Sequence, residues 1–164
     1  MIRDSTPSPA EIDANSQLRK MNIDHDSMAT MSNIFRVATK FRSHVEREVL
    51  NQHNLSFSTF TILWITWIRG PKEFKELAMD CGVSKGTMTG LIKGLIKMDL
   101  VSRGKHKTDG RRLMISITPA GRRLIKKIFP QVNRLETLFN KQLKVKEKRE
   151  LANLLRIILN TSLP

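Results

Sequence analysis

The chain has no tyrosine, one cysteine among 164 residues, and only 15 Asp and Glu against 29 Lys and Arg. With Cys81 alone, an internal disulfide and every multi-cysteine zinc framework are excluded, as befits a reducing compartment. No window approaches the roughly 18 apolar residues that a membrane-spanning helix needs, and residues 1–20 lack the apolar core of a signal peptide. The expectation is a soluble, cytoplasmic chain with no membrane partner. His25, His44, His53 and His106 show no metal-ligand spacing, no glycine-rich phosphate loop follows a strand, and Cys81 has no sequence-local base. No enzyme is expected, and with it no catalytic residue, no metal and no cofactor.

What the chain has in excess is positive charge, net +14, which makes polyanions the expected partners. Residues 85–127 hold twelve basic side chains and two acidic ones, Asp99 and Asp109. Leu91, Leu95, Val101, Ile115 and Ile117 are interleaved with them, so the segment reads as a folded surface rather than a charged tail. Double-stranded DNA fits better than RNA, because no aromatic side chain lies in this segment for unstacked bases to stack on.

Apolar periodicity divides the chain into four parts. Residues 1–25 carry Pro7, Pro9 and scattered polar residues, and read as a mostly flexible arm with a short helix near residues 10–20. Residues 26–54 read as one amphipathic helix, with Met31, Ile34, Phe35, Ala38, Phe41, Val45 and Val49 at three- and four-residue steps. Residues 55–117 open on a helix capped by Ser56, with Phe60, Leu63, Trp64 and Trp67 on its apolar side. Its β-branched residues favour a strand, but its length and four-point match favour the helix. Phe74, Leu77, Ala78 and Cys81 then mark a short helix closed by a left-handed Gly82, and Ser84 caps a second whose buried stripe is Met88, Leu91, Leu95 and Met98. Two helices joined through Gly82, Val83 and Ser84 make a helix-turn-helix. The period falls to 2 at Val101 and Arg103 and again at Leu113, Ile115 and Ile117, a β-hairpin around the polar turn 105–110.

Residues 118–164 read as two helices. Thr118 and Pro119 open the first, Leu124, Ile128, Val132, Leu135, Phe139 and Leu143 line one side, and Pro130 kinks it. The last segment, with Leu151, Leu154, Leu155, Ile158, Leu159 and Leu163, is too apolar to stand alone in water. A partner chain, giving a homodimer, is expected to cover these helices. The fold class is mainly α with a small β-hairpin wing: a winged helix-turn-helix whose N- and C-terminal helices form a dimerisation region.

Opposite its core stripe, the second helix of the pair carries Lys85, Gly86, Thr89, Gly90, Lys93 and Lys97, a face that can enter a major groove. Gly86, Gly90 and Gly94 recur every four residues, each costing about 1 kcal/mol against Ala in a helix interior. Either a DNA groove approaches them closely or they pack inside the domain. Thr87 and Thr89 can reach phosphates or base edges, and Ser84, a cap in any case, suits a phosphate at the helix start. In the hairpin, Arg103, Lys105, His106, Lys107, Arg111 and Arg112 crowd around Asp109. Such a turn projects an arginine toward a minor groove, or else remains solvated with Asp109 paired to a neighbour.

The stretch FKELAMDCGVSKGTMTGLIKGL resembles the helix-turn-helix of the MarR family of regulators, and LVSRGKHKTDGRRLMISITPAG resembles its Asp-x-Arg wing, following strand and helix start. The resemblance covers about residues 55–121. It implies a homodimer with interlocked terminal helices, a recognition helix at residues 84–98 and a wing at 105–112, with Asp109 and Arg111 on the wing's acidic and arginine positions. The implied function is a DNA-binding transcriptional repressor on a pseudo-palindromic operator; the alternative is a nonspecific architectural or nucleoid-type DNA-binding protein. Asp99 replaces the family's usual glycine, and Gly90 a larger polar or basic residue, leaving Thr89 and Lys93 as the better groove contacts. Cys81, inside the helix-turn-helix, reads as a small buried hydrophobe rather than a redox sensor. The resemblance also implies a cleft for a small aromatic or phenolic effector, lined by Phe41, His44, Trp64 and Trp67, with Arg42 meeting a carboxylate. The competing reading places the two tryptophans in the core and makes His44 an ordinary helix histidine.

Overall fold

Helix ends, with their unpaired backbone groups, decide where this chain turns. A computed structural model describes residues 5–105 and 112–162. The chain divides into two compact units, Met1–Phe41 with Glu136–Pro164, and Arg42–Leu135.

In the first unit, Ser8 Oγ accepts the Glu11 N–H at 3.3 Å and Pro9 takes the first helical position of α1 (Pro9–Leu18). Asp24 caps α2 (His25–Val45) by accepting the Ser27 N–H at 2.9 Å and its hydroxyl at 2.6 Å. Those bonds to Ser27 hold the Asp24 carboxyl below the usual carboxylate range. Glu11 ties α1 to α2 through Asn33 Nδ2 at 3.3 Å and Arg36 Nη1 at 3.5 Å. Toward the C-terminus, the Lys144 N–H donates to Glu147 Oε2 at 2.6 Å, starting a helix (Val145–Leu159) earlier than its apolar run. None of its residues is buried: Ile157 is 66% and Leu159 81% exposed, and Phe35 of α2 is 71% exposed.

The second unit begins at Arg42, in the last turn of α2, which then loosens into a π-helical turn (Glu46–Leu50) and a 3-10 turn (Asn51–His53), so the single helix expected over 26–54 is three conformations in series. Left-handed Asn54 ends it. Ser56 and Thr59 form a reciprocal capping box at α3 (Phe57–Arg69), whose start is also held by Glu46 Oε1, accepting the Phe57 N–H at 2.7 Å. The β-branched residues fit the helix because Thr61 and Thr66 donate their hydroxyls to the carbonyls four residues back, both at 2.8 Å. Its buried side is wider than the expected stripe: Phe60, Ile62, Leu63, Ile65 and Thr66 are buried, Trp67 half-buried, and Trp64 exposed.

Next come β1 (Lys72–Glu73), α4 (Phe74–Asp80), α5 (Lys85–Lys97), β2 (Val101–Lys105), β3 (Leu113–Ile117) and α6 (Pro119–Phe139), with α7 the helix already given at Val145–Leu159. The sheet order is β1-β3-β2, antiparallel throughout. β1 was not anticipated. Gly82, at φ +61°, closes α4 with the Gly82 N–H on Met79 O and the Val83 N–H on Ala78 O, a Schellman motif. Asp99, at φ +56°, closes α5 in the same way onto Ile96 and Leu95. The buried residues of α5 are Met88, Ile92 and Leu95; Leu91 is half-buried, and Met98 is exposed because the helix has already ended.

Thr118 joins α5 to α6. Its hydroxyl donates to Asp99 O at 2.6 Å, its N–H to Leu100 O at 3.1 Å, and its Oγ1 accepts the Gly121 N–H at 3.0 Å. Gly121 is buried so tightly that a methyl there would collide with the Leu100 carbonyl oxygen and lie 2.9 Å from Ile117 Cγ1. α6 continues unbroken through Pro130. Among the described residues no helix is long and apolar enough to cross a membrane.

Opposite effects are predicted for two changes at this junction. Gly121→Ala should lower stability by about 2 kcal/mol or more through overpacking. Asp99→Gly, which relieves a left-handed non-glycine residue, should raise it by up to about 1 kcal/mol. Urea unfolding followed by circular dichroism measures both, and a Gly121→Ala chain as stable as its parent would disprove the close approach.

Candidate nucleic-acid interface

With Met88, Ile92 and Leu95 turned into the unit, a helix of 3.6 residues per turn must present its other residues outward. Lys85, Gly86, Thr89, Gly90, Lys93, Gly94 and Lys97 are all exposed. Ser84 fixes the helix start by accepting the Thr87 N–H at 3.2 Å, and its hydroxyl lies 2.9 Å from that of Thr87. Thr89 donates its hydroxyl to Lys85 O at 2.9 Å, and its oxygen remains an acceptor on the open face. A methyl on Gly90 or Gly94 would meet nothing within 4 Å, and on Gly86 only Ser84 Oγ at 3.9 Å. Among the described residues, packing inside the domain therefore does not explain the glycine row.

The hairpin stands beside this face. After buried Val101, β2 is exposed from Ser102 to Lys105, with Arg103 opposite Ile115 and Lys105 opposite Leu113. A cavity of about 700 Å³ opens between α4, α5 and the hairpin, and Lys75, Lys85, Lys93 and Arg103 line it over Phe74 and Ile92. Lys75 was missed from sequence. A lysine in the first turn of α4 opposes the helix dipole, and that mismatch was the available signal. Arg112 is held by Glu73, itself a lining residue of this cavity: its Nε and Nη2 both donate to Glu73 Oε2, at 2.9 and 2.5 Å. Lys107, Asp109 and Arg111 lie outside the described residues.

Of the five residues expected at an effector cleft, Phe41, Arg42, His44 and Trp67 each have a contact of their own. Phe41, in the first unit, meets Phe139 edge-on with centroids 5.2 Å apart. In the second unit, Arg42 Nη2 donates to Ser58 Oγ at 3.3 Å and its guanidinium lies 5.7 Å from the Phe57 ring centroid. His44 Nδ1 is 2.8 Å from Arg47 Nη2, and Trp67 meets Phe129 edge-on at 5.8 Å. Trp64 is exposed, which does not fit the competing reading of a core position.

A helix-turn-helix followed by a two-stranded wing defines a winged helix-turn-helix DNA-binding protein. Residues 55–113 match the MarR family model. The HTH-type transcriptional regulator YwaE of Bacillus subtilis is 30% identical over 149 residues, which cover 89% of this chain and 87% of that protein. The HTH-type transcriptional repressor YetL of Bacillus subtilis is 31% identical over 111 residues, 66% of each chain. The chain thus belongs to the MarR family of transcriptional regulators. BpsR of Bordetella bronchiseptica, in a structure describing regulation of its DNA binding by 6-hydroxynicotinic acid, shares the fold at a TM-score of 0.72, with 18% identity over 80% of this chain and 93% of its own.

Cys81 is half-buried at the end of α4; burial, with Asp80 beside it, pushes its thiol above the ordinary value. Less thiolate at neutral pH means slower chemistry. Alkylation by iodoacetamide is expected to run slower than with free cysteine at the same pH; an equal or faster rate would mark an activated thiol.

Proposed function

We propose that this chain is a sequence-specific repressor that binds a pseudo-palindromic operator as a homodimer, with α5 in the major groove and the hairpin toward the minor groove. The observation that carries the reading is the open face of α5, where three glycines with space above them alternate with Lys85, Lys93 and Lys97. Backbone that close to the surface suits base edges, and the lysines suit the flanking phosphates. Ser84, Thr87, Thr89, Arg103 and Lys105 join them, and Lys107, Asp109 and Arg111 complete the wing in this reading.

The homodimer is supported by the uncovered apolar residues of α7 and of the N-terminal half of α2. Residues 26–54 and 118–164 are then the dimerisation region and residues 55–117 the reading head. Repression is proposed on the likeness to YetL. Release by a small aromatic or phenolic anion is proposed on the likeness to BpsR, whose DNA binding 6-hydroxynicotinic acid regulates.

Fragments selected from a random duplex pool should share a two-fold symmetric motif, footprinted as two half-sites about 10 base pairs apart. One protected half-site, or no enrichment over random duplex, would favour the architectural alternative. Lys93→Ala should weaken binding on every sequence and reduce the salt slope by about one unit. Arg111→Ala should weaken binding most at A·T-rich flanks; an equal loss on all flanks would rule out a minor-groove role.

A further inference from the structure

On sequence grounds Arg112 belongs with the DNA-contacting cations of the wing, and its geometry points to another task. β1 is only two residues long and pairs with β3 at Lys72 with Ile115 and Glu73 with Met114. So short a ladder holds an angle poorly. Arg112 sits one residue ahead of β3, where the chain returns from the wing, and its guanidinium grips Glu73 Oε2 with two donors. Glu73 is both the end of β1 and the residue that opens α4, the first helix of the helix-turn-helix. The planar fork of arginine makes the contact directional in a way a lysine would not.

Glu73 is also the one carboxylate among the described residues lining the cationic cavity beside α5. For phosphate binding alone a negative charge there is a liability. We propose that Glu73 and Arg112 are a positioning pair: they brace the root of the wing against the start of α4 and thereby raise DNA affinity without either touching DNA. The proposal rests on the DNA-binding reading above. The Arg112 side chain is 42% exposed and that of Glu73 22%, so the brace is of surface strength and its effect modest.

The test separates bracing from charge by the sign of the change. The full-length chain is titrated with a duplex that the parent chain selects from a random pool, at several salt concentrations. Glu73→Ala should weaken binding about fivefold and the isosteric Glu73→Gln about twofold, although each removes a negative charge. Arg112→Gln should weaken binding as much as Glu73→Ala while keeping the parent's salt slope, and the double variant Glu73→Ala with Arg112→Gln should be no worse than either. Tighter binding by either Glu73 variant, or a slope reduced by about one unit in Arg112→Gln, overturns the proposal and makes Arg112 a phosphate contact. Should Glu73→Ala unfold, Glu73→Gln still reads the sign. A parent chain that enriches no duplex overturns the DNA-binding reading itself, and this inference with it.

Discussion

Burial of Met88, Ile92 and Leu95 is the constraint from which the rest of the reading head follows. α5 packs against α3, α4 and β2, and it has one circumference to divide between that interior and the outside. Once three side chains at i, i+4 and i+7 are inside, Gly86, Gly90, Lys93 and Lys97 are outside by rotation alone. A slip of one residue would turn the helix by about 100° and carry a lysine into the place of a buried side chain such as Ile92. The phase is therefore set by apolar contact and pinned at both ends, by Ser84 at the start and left-handed Asp99 at the finish.

The same division governs charge. Among the described residues the ion pairs of the second unit include Lys72 with Glu76, Arg69 with Asp80 and Arg112 with Glu73, all gathered around β1 and α4. Glu76 answers to this grouping: its hydrogen bond to Lys72, then the Lys72 charge, hold its carboxyl below the ordinary range. None of these pairs involves Lys85, Lys93, Lys97 or Arg103. The acidic residues steady the frame, and the lysines of α5 keep their field for solution, where salt screens it.

What could be read from sequence was what is decided locally. Ser56, Ser84, Gly82 and Thr118 announce helix ends because each makes its bond within a few residues, and the structure finds all four in those roles. The two-residue strand β1 was invisible, since its only reason to exist is a partner at Met114 and Ile115, some forty positions on. The same distance hid the engagement of Arg112 by Glu73. Trp64 misled because size argues for the core, whereas its angular position on α3, away from Leu63 and Thr66, decides exposure. In the candidate interface, the face of α5 and Arg103 on β2 were legible from period alone. Lys75 was not, because its place beside α5 depends on how α4 packs.

The neck of the hairpin is pinched shut. Thr118 bonds to both Asp99 and Leu100, and the close seat of Gly121 locks the same spot, so the chain enters β2 and leaves β3 through a single fastened point. In the proposed reading, where the wing meets DNA, lengthening, shortening or exchanging the residues between Lys105 and Arg112 should retune the grip on nucleic acid while leaving the scaffold intact, making the wing the natural place for relatives to diversify and for grafted sequences to be accepted.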